Sequence, residues 1–388
     1  MVITDLCTGC RLCEQICSHN AINIIQNEEG FLEACIDEAS CVGCKLCQNR
    51  CPQNGSIEKN TVGLAFAVRL RDDTTLKDSA SGGAFIGIAK AFISTGGYVA
   101  GVIYDNNWAA VYQITNDISG LKPMQSSKYL QADTGNIYSI IKEKLQKGEK
   151  VLFAGTSCQV AGLKGFLNKD YENLVTIDII CHGVTSPLMY REYVKWLEKK
   201  VNTKILSYNF RSKNRGWGLF YTYTYTSKGK IKEISKPMYV DPYYQVFLNG
   251  DAYRECCYRC KYASLERITD ISIGDYWGIE EEHPSFFSSK GVSSVLINTK
   301  KGSELFNVVK SDFFVIASKP DRIARHNDNL IKPTYRNDLI RNSFYEGIKT
   351  DENWFNGVAE KYKPTFVSLI KARVPSSLRA LINKILTR

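Results

Sequence analysis

A duplicated cysteine pattern near the N-terminus restricts the fold more strongly than any other feature of this sequence. The spacing C-x2-C-x2-C-x3-C occurs first at Cys7, Cys10, Cys13 and Cys17, and again at Cys41, Cys44, Cys47 and Cys51. One such loop can wrap three thiolates around a cubane iron–sulfur cluster, while its fourth cysteine reaches the cluster of the other loop. The repeat therefore predicts two symmetric halves that hold two clusters.

Exchange of the fourth cysteine fixes the predicted ligand sets. One [4Fe–4S] cluster is expected on Cys7, Cys10, Cys13 and Cys51, and the other on Cys41, Cys44, Cys47 and Cys17. Residues 1–60 are accordingly predicted to be a small α+β ferredoxin-type domain. The alternatives are zinc or redox-active dithiols, but four-cysteine zinc sites usually use two separated C-x2-C pairs.

The cysteine content as a whole also favours metal ligation. The chain has 14 cysteines and no recognisable export signal, whereas disulfide frameworks belong to small secreted proteins. With 44% apolar residues and no run of about 20 apolar residues, we expect a cytoplasmic globular protein. Cys35 lies outside both runs, and we expect it to be an ordinary buried cysteine.

Beyond residue 60, strand-like and helix-like segments alternate. The strand-like runs include residues 63–69, 98–104, 150–154 and 174–180. Since strands separated by helices form a sheet covered on both faces, we predict an α/β catalytic body behind a small α+β dicluster ferredoxin-like domain. We assign residues 61–300 to the body, residues 301–360 to a helical C-terminal extension and residues 361–388 to a basic amphipathic tail.

Six motifs in the body are specific when they are taken together. They are 79–85 (SASGGAF), 126–129 (SSKY), 153–162 (FAGTSCQVAG), 178–184 (DIICHGV), 257–263 (CYRCKYA) and 271–278 (ISIGDYWG). In this order they resemble the coenzyme F420 hydrogenase/dehydrogenase beta-subunit family. The resemblance implies an FAD-containing reductase body with its own [4Fe–4S] cluster, here fused to a dicluster ferredoxin.

Two loops of the body are candidates for binding the flavin. They contain Ser81, Gly82 and Gly83, and Gly155, Thr156 and Ser157. The first loop opens a helix whose N–H groups and positive dipole end suit a pyrophosphate, although a glycine pair before a helix can also be only a turn. The second loop follows a strand and precedes a helix, where α/β sheets tend to place ligands.

A third cluster site is predicted from four cysteines that lie far apart in the sequence. Cys158 and Cys181 follow neighbouring strands, and Cys257 and Cys260 come from a distant loop. We choose Cys257 over its neighbour Cys256 because it keeps the C-x2-C spacing. The alternative is that the first two are ordinary buried cysteines and the C-x2-C pair is a zinc or redox site.

Two side chains are candidates for catalysis. Lys128 could place positive charge beside the flavin or a phosphate, or it could be a solvated surface lysine. His182 could donate a proton near the flavin, because its pKa is ordinarily close to neutral, or it could hydrogen-bond a loop carbonyl. The basic, aromatic segment 210–218 could hold an anionic planar substrate, or it could be a surface hairpin.

These features predict an iron–sulfur flavoprotein oxidoreductase. A redox partner protein or reduced ferredoxin would supply electrons to the N-terminal clusters, and a third cluster and FAD would pass them to an organic acceptor. That acceptor would be a deazaflavin-like cofactor or a glycan precursor. The alternative is a non-catalytic electron-relay subunit of a larger hydrogenase or dehydrogenase complex. No nucleic-acid partner is expected, because the net charge of +10 is not accompanied by a reading motif.

The C-terminal tail has a pattern of its own. Residues 361–388 contain basic residues and no Asp or Glu, and apolar residues recur at helical spacing near the end. Such a helix can lie on the inner face of the cell membrane. Docking on the protein's own body gives the same pattern, so residues 364–388 are predicted to contact one or the other.

Overall fold

The structure is a computed structural model that describes residues 3, 4 and 6–373. Its strands are β1 (Ile22–Gln26), β2 (Leu32–Ile36), β3 (Leu64–Leu70), β4 (Tyr98–Tyr104), β5 (Ala110–Thr115), β6 (Val151–Thr156), β7 (Leu174–Ile179), β8 (Ile205–Asn209), β9 (Phe220–Ser227), β10 (Lys230–Pro237), β11 (Ile271–Asp275), β12 (Ser293–Ile297) and β13 (Phe313–Ser318). Its α-helices are α1 (Leu12–Ile16), α2 (Leu46–Arg50), α3 (Asp73–Lys77), α4 (Ala84–Ser94), α5 (Ile137–Gln146), α6 (Ser157–Leu167), α7 (Pro187–Val201), α8 (Pro242–Asn249), α9 (Ile279–Glu282), α10 (Lys300–Val309), α11 (Pro320–Ala324), α12 (Asp338–Arg341), α13 (Trp354–Lys361) and α14 (Phe366–Arg373). Within these residues, no helix is long and apolar enough to cross a membrane.

The N-terminal domain repeats the same backbone geometry in its two halves. The short helices α1 and α2 each carry the third cysteine of one run. The residues just before them, Arg11 and Lys45, both adopt the left-handed conformation, with φ of 57° and 58°. Between these helices in the sequence, β1 and β2 form an antiparallel ribbon. The duplication seen in the sequence is therefore also a duplication of structure.

A mixed sheet forms the centre of the body. In the described residues it has eight strands in the order β13-β3-β12-β11-β7-β6-β4-β5. β4, β6, β7 and β11 run parallel to one another, so their carboxyl ends lie at one edge of the sheet. β6 is buried along most of its length, as expected for a parallel strand covered on both faces. The predicted α/β body with a small N-terminal ferredoxin-type domain is confirmed.

The chain after α7 forms a second, smaller sheet, which packs near the carboxyl edge of the main sheet. Strands β10, β9 and β8 form an antiparallel sheet, and their tyrosines pack with residues of α7, α8 and α13 in an aromatic core. Phe210 is fully buried in this core. Its burial fixes the position of the adjacent Arg211, which reaches the carboxyl edge of the main sheet.

The N-terminal domain and the body share one hydrophobic core. Leu12 of α1 and Ile36 of β2 are buried in the same cluster as Leu163 of α6. Polar contacts reinforce this packing: the Gln131 side chain donates to the backbone carbonyls of Thr8 and Leu32, at 3.2 and 3.1 Å. Because buried backbone groups are satisfied across the boundary, the domain is held in a defined orientation on the body.

Three features differ from the sequence-based expectations or lie beyond them. Cys35 is exposed, so the prediction that it is buried is wrong. Only one face of the β1–β2 ribbon is covered by the rest of the protein, and Cys35 lies on the other face. Residues 301–360, expected to be helical, also contain β13, which pairs with β3 at the edge of the sheet. The prediction for residues 364–388 falls largely on positions after 373, outside the described residues.

A buried ion pair between distant parts of the chain gives a test of this domain arrangement. The Arg341 guanidinium is only 1% exposed and donates to both carboxylate oxygens of Glu29, at 2.6 and 2.5 Å. In Glu29→Gln the guanidinium loses its closer charged partner and keeps only Glu255, at 3.5 Å, and we expect the free energy of unfolding to fall by about 2 kcal/mol. The measurement is denaturant unfolding of the cluster-loaded protein.

The neighbouring carboxylate provides the matched control. Glu28 is 95% exposed on its side chain and lies 3.5 Å from Lys349. An exposed pair contributes about 0–1 kcal/mol, so Glu28→Gln should change stability much less. Equal effects of the two substitutions would contradict the conclusion that the pair of Glu29 and Arg341 helps to hold the N-terminal domain on the body.

Candidate metal centres

A cavity in the N-terminal domain is lined by the first predicted ligand set. Its walls include Cys7, Cys10, Cys13 and Cys51, and it contains about 350 Å³ of space. Burial raises the pKa of the Cys10 thiol to about 11. A thiol in such a site stays protonated until a metal displaces its proton, so metal binding and ionisation are coupled here.

A second cavity is lined by the other predicted ligand set. Cys17, Cys41, Cys44 and Cys47 contribute to its walls, and it contains about 430 Å³ of space. Cys44 is exposed, whereas Cys13 of the first cavity is buried. This second cavity is therefore the one nearer to solvent.

The arrangement of the thiols bears on what they hold. Among the described residues, no group of three or more His, Cys, Asp and Glu side chains is positioned to hold a single metal ion. Four cysteines instead line each of two cavities several ångströms across. Thiolates spread around a cavity fit a cubane cluster, whose iron atoms each take one cysteine, better than a tetrahedral zinc ion.

The four cysteines predicted for a third cluster come from three elements. Cys158 lies in the first turn of α6, directly after β6, and Cys181 lies just beyond β7. The thiol of Cys181 is within electrostatic reach of Cys158 and Cys260, and Cys158 is within reach of Cys260 and Cys256. Cys257 is adjacent to Cys256. The fold thus gathers the predicted set, with Cys256 as an additional neighbour.

The first cavity and the third group of cysteines meet at α6. A Cβ atom added at Gly162 would lie 3.0 Å from the Sγ atom of Cys10. Gly162 lies one turn beyond Cys158 and therefore on the same face of the helix. Cys158 is also within electrostatic reach of Cys10. Sulfur atoms of the N-terminal domain and of the body consequently lie side by side.

A buried ion pair beside the third group was not identified from the sequence. Asp178 is fully buried and accepts hydrogen bonds from Arg267, from Ser157 at 2.6 Å and from Thr269 at 2.8 Å. Burial, together with Cys158 and Cys260, raises the pKa of the Cys181 thiol, and the charge of Arg267 acts weakly in the opposite direction. Ser157, predicted to bind flavin, is thus occupied by this network. Only tertiary contact reveals it, because the partners are about 90 residues apart in the sequence.

Most of the other candidate residues lie along the carboxyl edge of the sheet. Lys128 is partly buried, and its ammonium donates to the carbonyls of Pro123 and Gln125, at 2.8 and 3.0 Å. Desolvation lowers the pKa of Lys128 to about 7. His182 has an exposed ring, yet surrounding protein atoms, together with Arg211, lower its pKa. Both side chains are thus crowded by protein atoms without being fully enclosed.

The start of α4 is the better of the two predicted phosphate sites. None of the described side chains caps this helix, which begins after Gly83 in the left-handed conformation, with φ of 80°. Gly82 is required because an added Cβ would lie 2.2 Å from the Val68 carbonyl oxygen. Lys213 donates to the Ser81 carbonyl, and burial together with Arg211 lowers the pKa of Lys213 to about 7. An anion bound at this helix start would favour the protonated, positively charged form of Lys213.

The loop before α6 uses its polar groups internally. Thr156 and Gln159 form a capping box that satisfies N–H groups at the helix start. An added Cβ at Gly155 would lie 2.1 Å from the Tyr112 hydroxyl oxygen, so this glycine admits the tyrosine. These contacts stabilise the turn that carries Cys158, and they leave less capacity for a phosphate than the start of α4 has.

An aromatic and charged group lies at the carboxyl edge of the main sheet. Arg211 is 3% exposed and donates to both carboxylate oxygens of Asp275, at 2.6 Å each. The Trp217 indole N–H also donates to Asp275, at 2.8 Å. The rings of Trp217 and Trp277 stack with centroids 5.2 Å apart. Asp275 therefore orients the basic, aromatic segment at the carboxyl edge.

Two segments of the chain match models of known protein families. Residues 148–322 match the family model for the C terminus of the beta subunit of coenzyme F420 hydrogenase/dehydrogenase. Residues 148–322 are thus a domain of this family. Residues 6–54 match the 4Fe-4S dicluster domain, so the N-terminal domain binds iron–sulfur clusters. The resemblance inferred from the motifs is confirmed.

The other comparisons add little detail. A chain of the F420-reducing [NiFe] hydrogenase complex from Methanosarcina barkeri is 16% identical over 70% of this chain and 90% of its own length, with a TM-score of 0.43. No curated protein matches the chain at a significant level.

The contact between Cys10 and α6 gives a direct test of the cluster environment. In Gly162→Ala the new methyl group would meet Cys10 Cβ at 2.9 Å and the Tyr138 hydroxyl oxygen at 2.7 Å. Such overpacking costs about 1–3 kcal/mol, and we expect Cys10 to shift, with partial loss of iron from the N-terminal domain. Iron content and the thermal unfolding midpoint are the measurements.

Gly357→Ala is the matched control. Gly357 also lies inside a helix, and an added Cβ there has no described atom within 4 Å. This substitution should keep the iron content and slightly raise stability, because alanine is favoured over glycine in a helix. Full iron retention in Gly162→Ala would contradict the close packing of Cys10 on α6.

Proposed function

We propose that this protein is an iron–sulfur flavoprotein oxidoreductase. Two clusters in the N-terminal domain, a third [4Fe–4S] cluster in the body and FAD together connect an electron-donating partner protein, or reduced ferredoxin, with an organic acceptor. The single observation that carries the proposal is the side-by-side placement of Cys10 and Cys158. It joins a dicluster domain to a body that has a further group of cysteines.

The order of the centres follows from their exposure. The cavity with Cys44 is nearest to solvent, so we assign it as the point of contact with the partner protein. The cavity with Cys10 comes next, followed by the site of Cys158, Cys181, Cys257 and Cys260 on the body side of α6. In this order, each proposed cluster passes its electron to the cluster beside it.

FAD is proposed because clusters carry single electrons, whereas reductions of organic acceptors take two. The uncapped start of α4, with Lys213 and Arg211 beside it, suits the pyrophosphate of the cofactor. Ser81, Gly82 and Gly83 would approach it most closely. Gly155, Thr156 and Ser157 would shape the carboxyl edge of the sheet rather than hold the phosphates.

Lys128 and His182 are proposed to act at the carboxyl edge of the sheet. Lys128 loses hydration there, so a negative charge nearby would favour its protonated form. His182 has solvent access and a pKa lowered by its surroundings, so it would exchange a proton with water and with a bound acceptor near neutral pH. The stacked indoles beside Arg211 favour an acceptor that is planar and anionic, which fits a deazaflavin-like cofactor better than a glycan precursor.

A relay subunit is the second candidate function. It is favoured by the family of residues 148–322, whose description is that of a beta subunit. The protein alone, supplied with dithionite, should reduce coenzyme F420 if it is a complete reductase. A relay would be bleached by dithionite and reoxidised without product unless a partner protein was added.

Contact of residues 364–388 with the inner face of the membrane remains part of either proposal.

Quantitation of the cofactors tests the proposal directly. Anaerobically purified protein should contain about twelve irons and about one FAD per chain, as three cubanes require. Cys181→Ser should reduce the iron to about eight and leave the spectra of the N-terminal clusters unchanged, because only the third site loses a ligand.

Cys35→Ser is the control for the cysteine substitution. Cys35 is exposed on β2 and belongs to none of the three predicted ligand sets, so the full iron content should be retained. Wild-type protein with about eight irons and no flavin would reduce the proposal to a dicluster domain on a body of another function.

A further inference from the structure

One buried hydroxyl lies unpaired at the junction between the N-terminal domain and the body. Tyr262 is 6% exposed, and its Oη atom has no hydrogen-bond partner among the described residues. Many buried tyrosines are satisfied; the hydroxyl of Tyr253, for example, donates to the Phe247 carbonyl oxygen at 2.6 Å. The hydroxyls of Tyr104, Tyr190 and Tyr239 are also buried without a partner among the described residues, but none of them is surrounded by cysteines. An unpaired buried hydroxyl costs about 1–3 kcal/mol, so its presence here calls for a partner.

The surroundings of Tyr262 are sulfur atoms from two sites. Cys10 and Cys51, which line the first cavity, and Cys158 and Cys260, from the third group, all lie within electrostatic reach of its hydroxyl. The interaction with Cys158 is the largest of the four. The aromatic ring packs in the hydrophobic cluster shared by the N-terminal domain and the body. Tyr262 thus fills the space between the two sets of cysteines.

The position of this residue is fixed by the backbone. Arg267 donates to the Tyr262 carbonyl oxygen at 2.8 Å, and the same guanidinium pairs with buried Asp178. These contacts hold the backbone at Tyr262 in place, and the packing of the buried ring in the shared hydrophobic cluster sets its orientation. A phenylalanine would fill the same volume, so packing alone does not explain the hydroxyl.

We propose that the Tyr262 hydroxyl donates a hydrogen bond to a sulfur of the third cluster and thereby raises its reduction potential. Cluster sulfides and thiolates accept hydrogen bonds, and such bonds favour the reduced cluster, which carries one more negative charge. Tyr262 is accordingly a positioning residue that adjusts the step between the first and third centres. This inference rests on the proposed third cluster.

The test uses the full chain, purified and loaded anaerobically. In Tyr262→Phe, an EPR-monitored redox titration should show the ratio of reduced to oxidised third cluster fall by about three- to tenfold at a fixed potential, as expected for the loss of one hydrogen bond. The signals of the two N-terminal clusters and the iron content should be unchanged. Signals absent from Cys181→Ser identify the third cluster.

Tyr239→Phe is the matched control, since the Tyr239 hydroxyl is also buried without a partner in the described structure but lies in a segment that contains no cysteine. It should leave every signal in place. An unchanged titration in Tyr262→Phe, a shift confined to an N-terminal cluster, or an equal shift in both variants would overturn the inference. If the wild-type chain contains only about eight irons, the proposed third cluster itself is wrong.

Discussion

Contact between Cys10 and the face of α6 is the interaction on which the arrangement of the protein depends. Because Cys158 and Gly162 are one helical turn apart, whatever packs on Gly162 also lies next to Cys158. A side chain at position 162 would clash with Cys10 and with the Tyr138 hydroxyl. The spacing of an α-helix, rather than any long-range linker, therefore brings the N-terminal domain to the cysteines of the body.

The polar interactions around this contact act mainly by fixing orientation. Arg267 and Asp178 form a buried pair that is hydrogen-bonded on several sides, and Arg211 and Asp275 form another at the carboxyl edge. Buried pairs add little net stability when desolvation is counted, but removal of one partner is costly. Their effect is to restrict the third group of cysteines and the carboxyl edge of the sheet to a single arrangement.

Local patterns could be predicted from the sequence, and tertiary contacts could not. The cysteine spacing identified both N-terminal cavities because three of the four ligands in each lie within seven residues. The parallel strands β4, β6 and β7 were evident as apolar runs, whereas β11 was not expected. The exposure of Cys35 depends on which face of a two-stranded ribbon is covered, and the unpaired hydroxyl of Tyr262 appears only when two distant segments pack together. Likewise, Gly82 resembles a phosphate-loop residue in the sequence, while the structure shows that the nearby strands also require it.

The pairing of Glu29 with Arg341 has a consequence for how the protein is made. These residues are 312 positions apart, so at ribosomal rates of about 5–20 residues per second roughly 15–60 s separate their synthesis. During that interval the nascent N-terminal domain lacks its ion pair with Arg341. Any cluster assembly that takes place on the nascent chain in this period therefore occurs before the contact between Glu29 and Arg341 has formed.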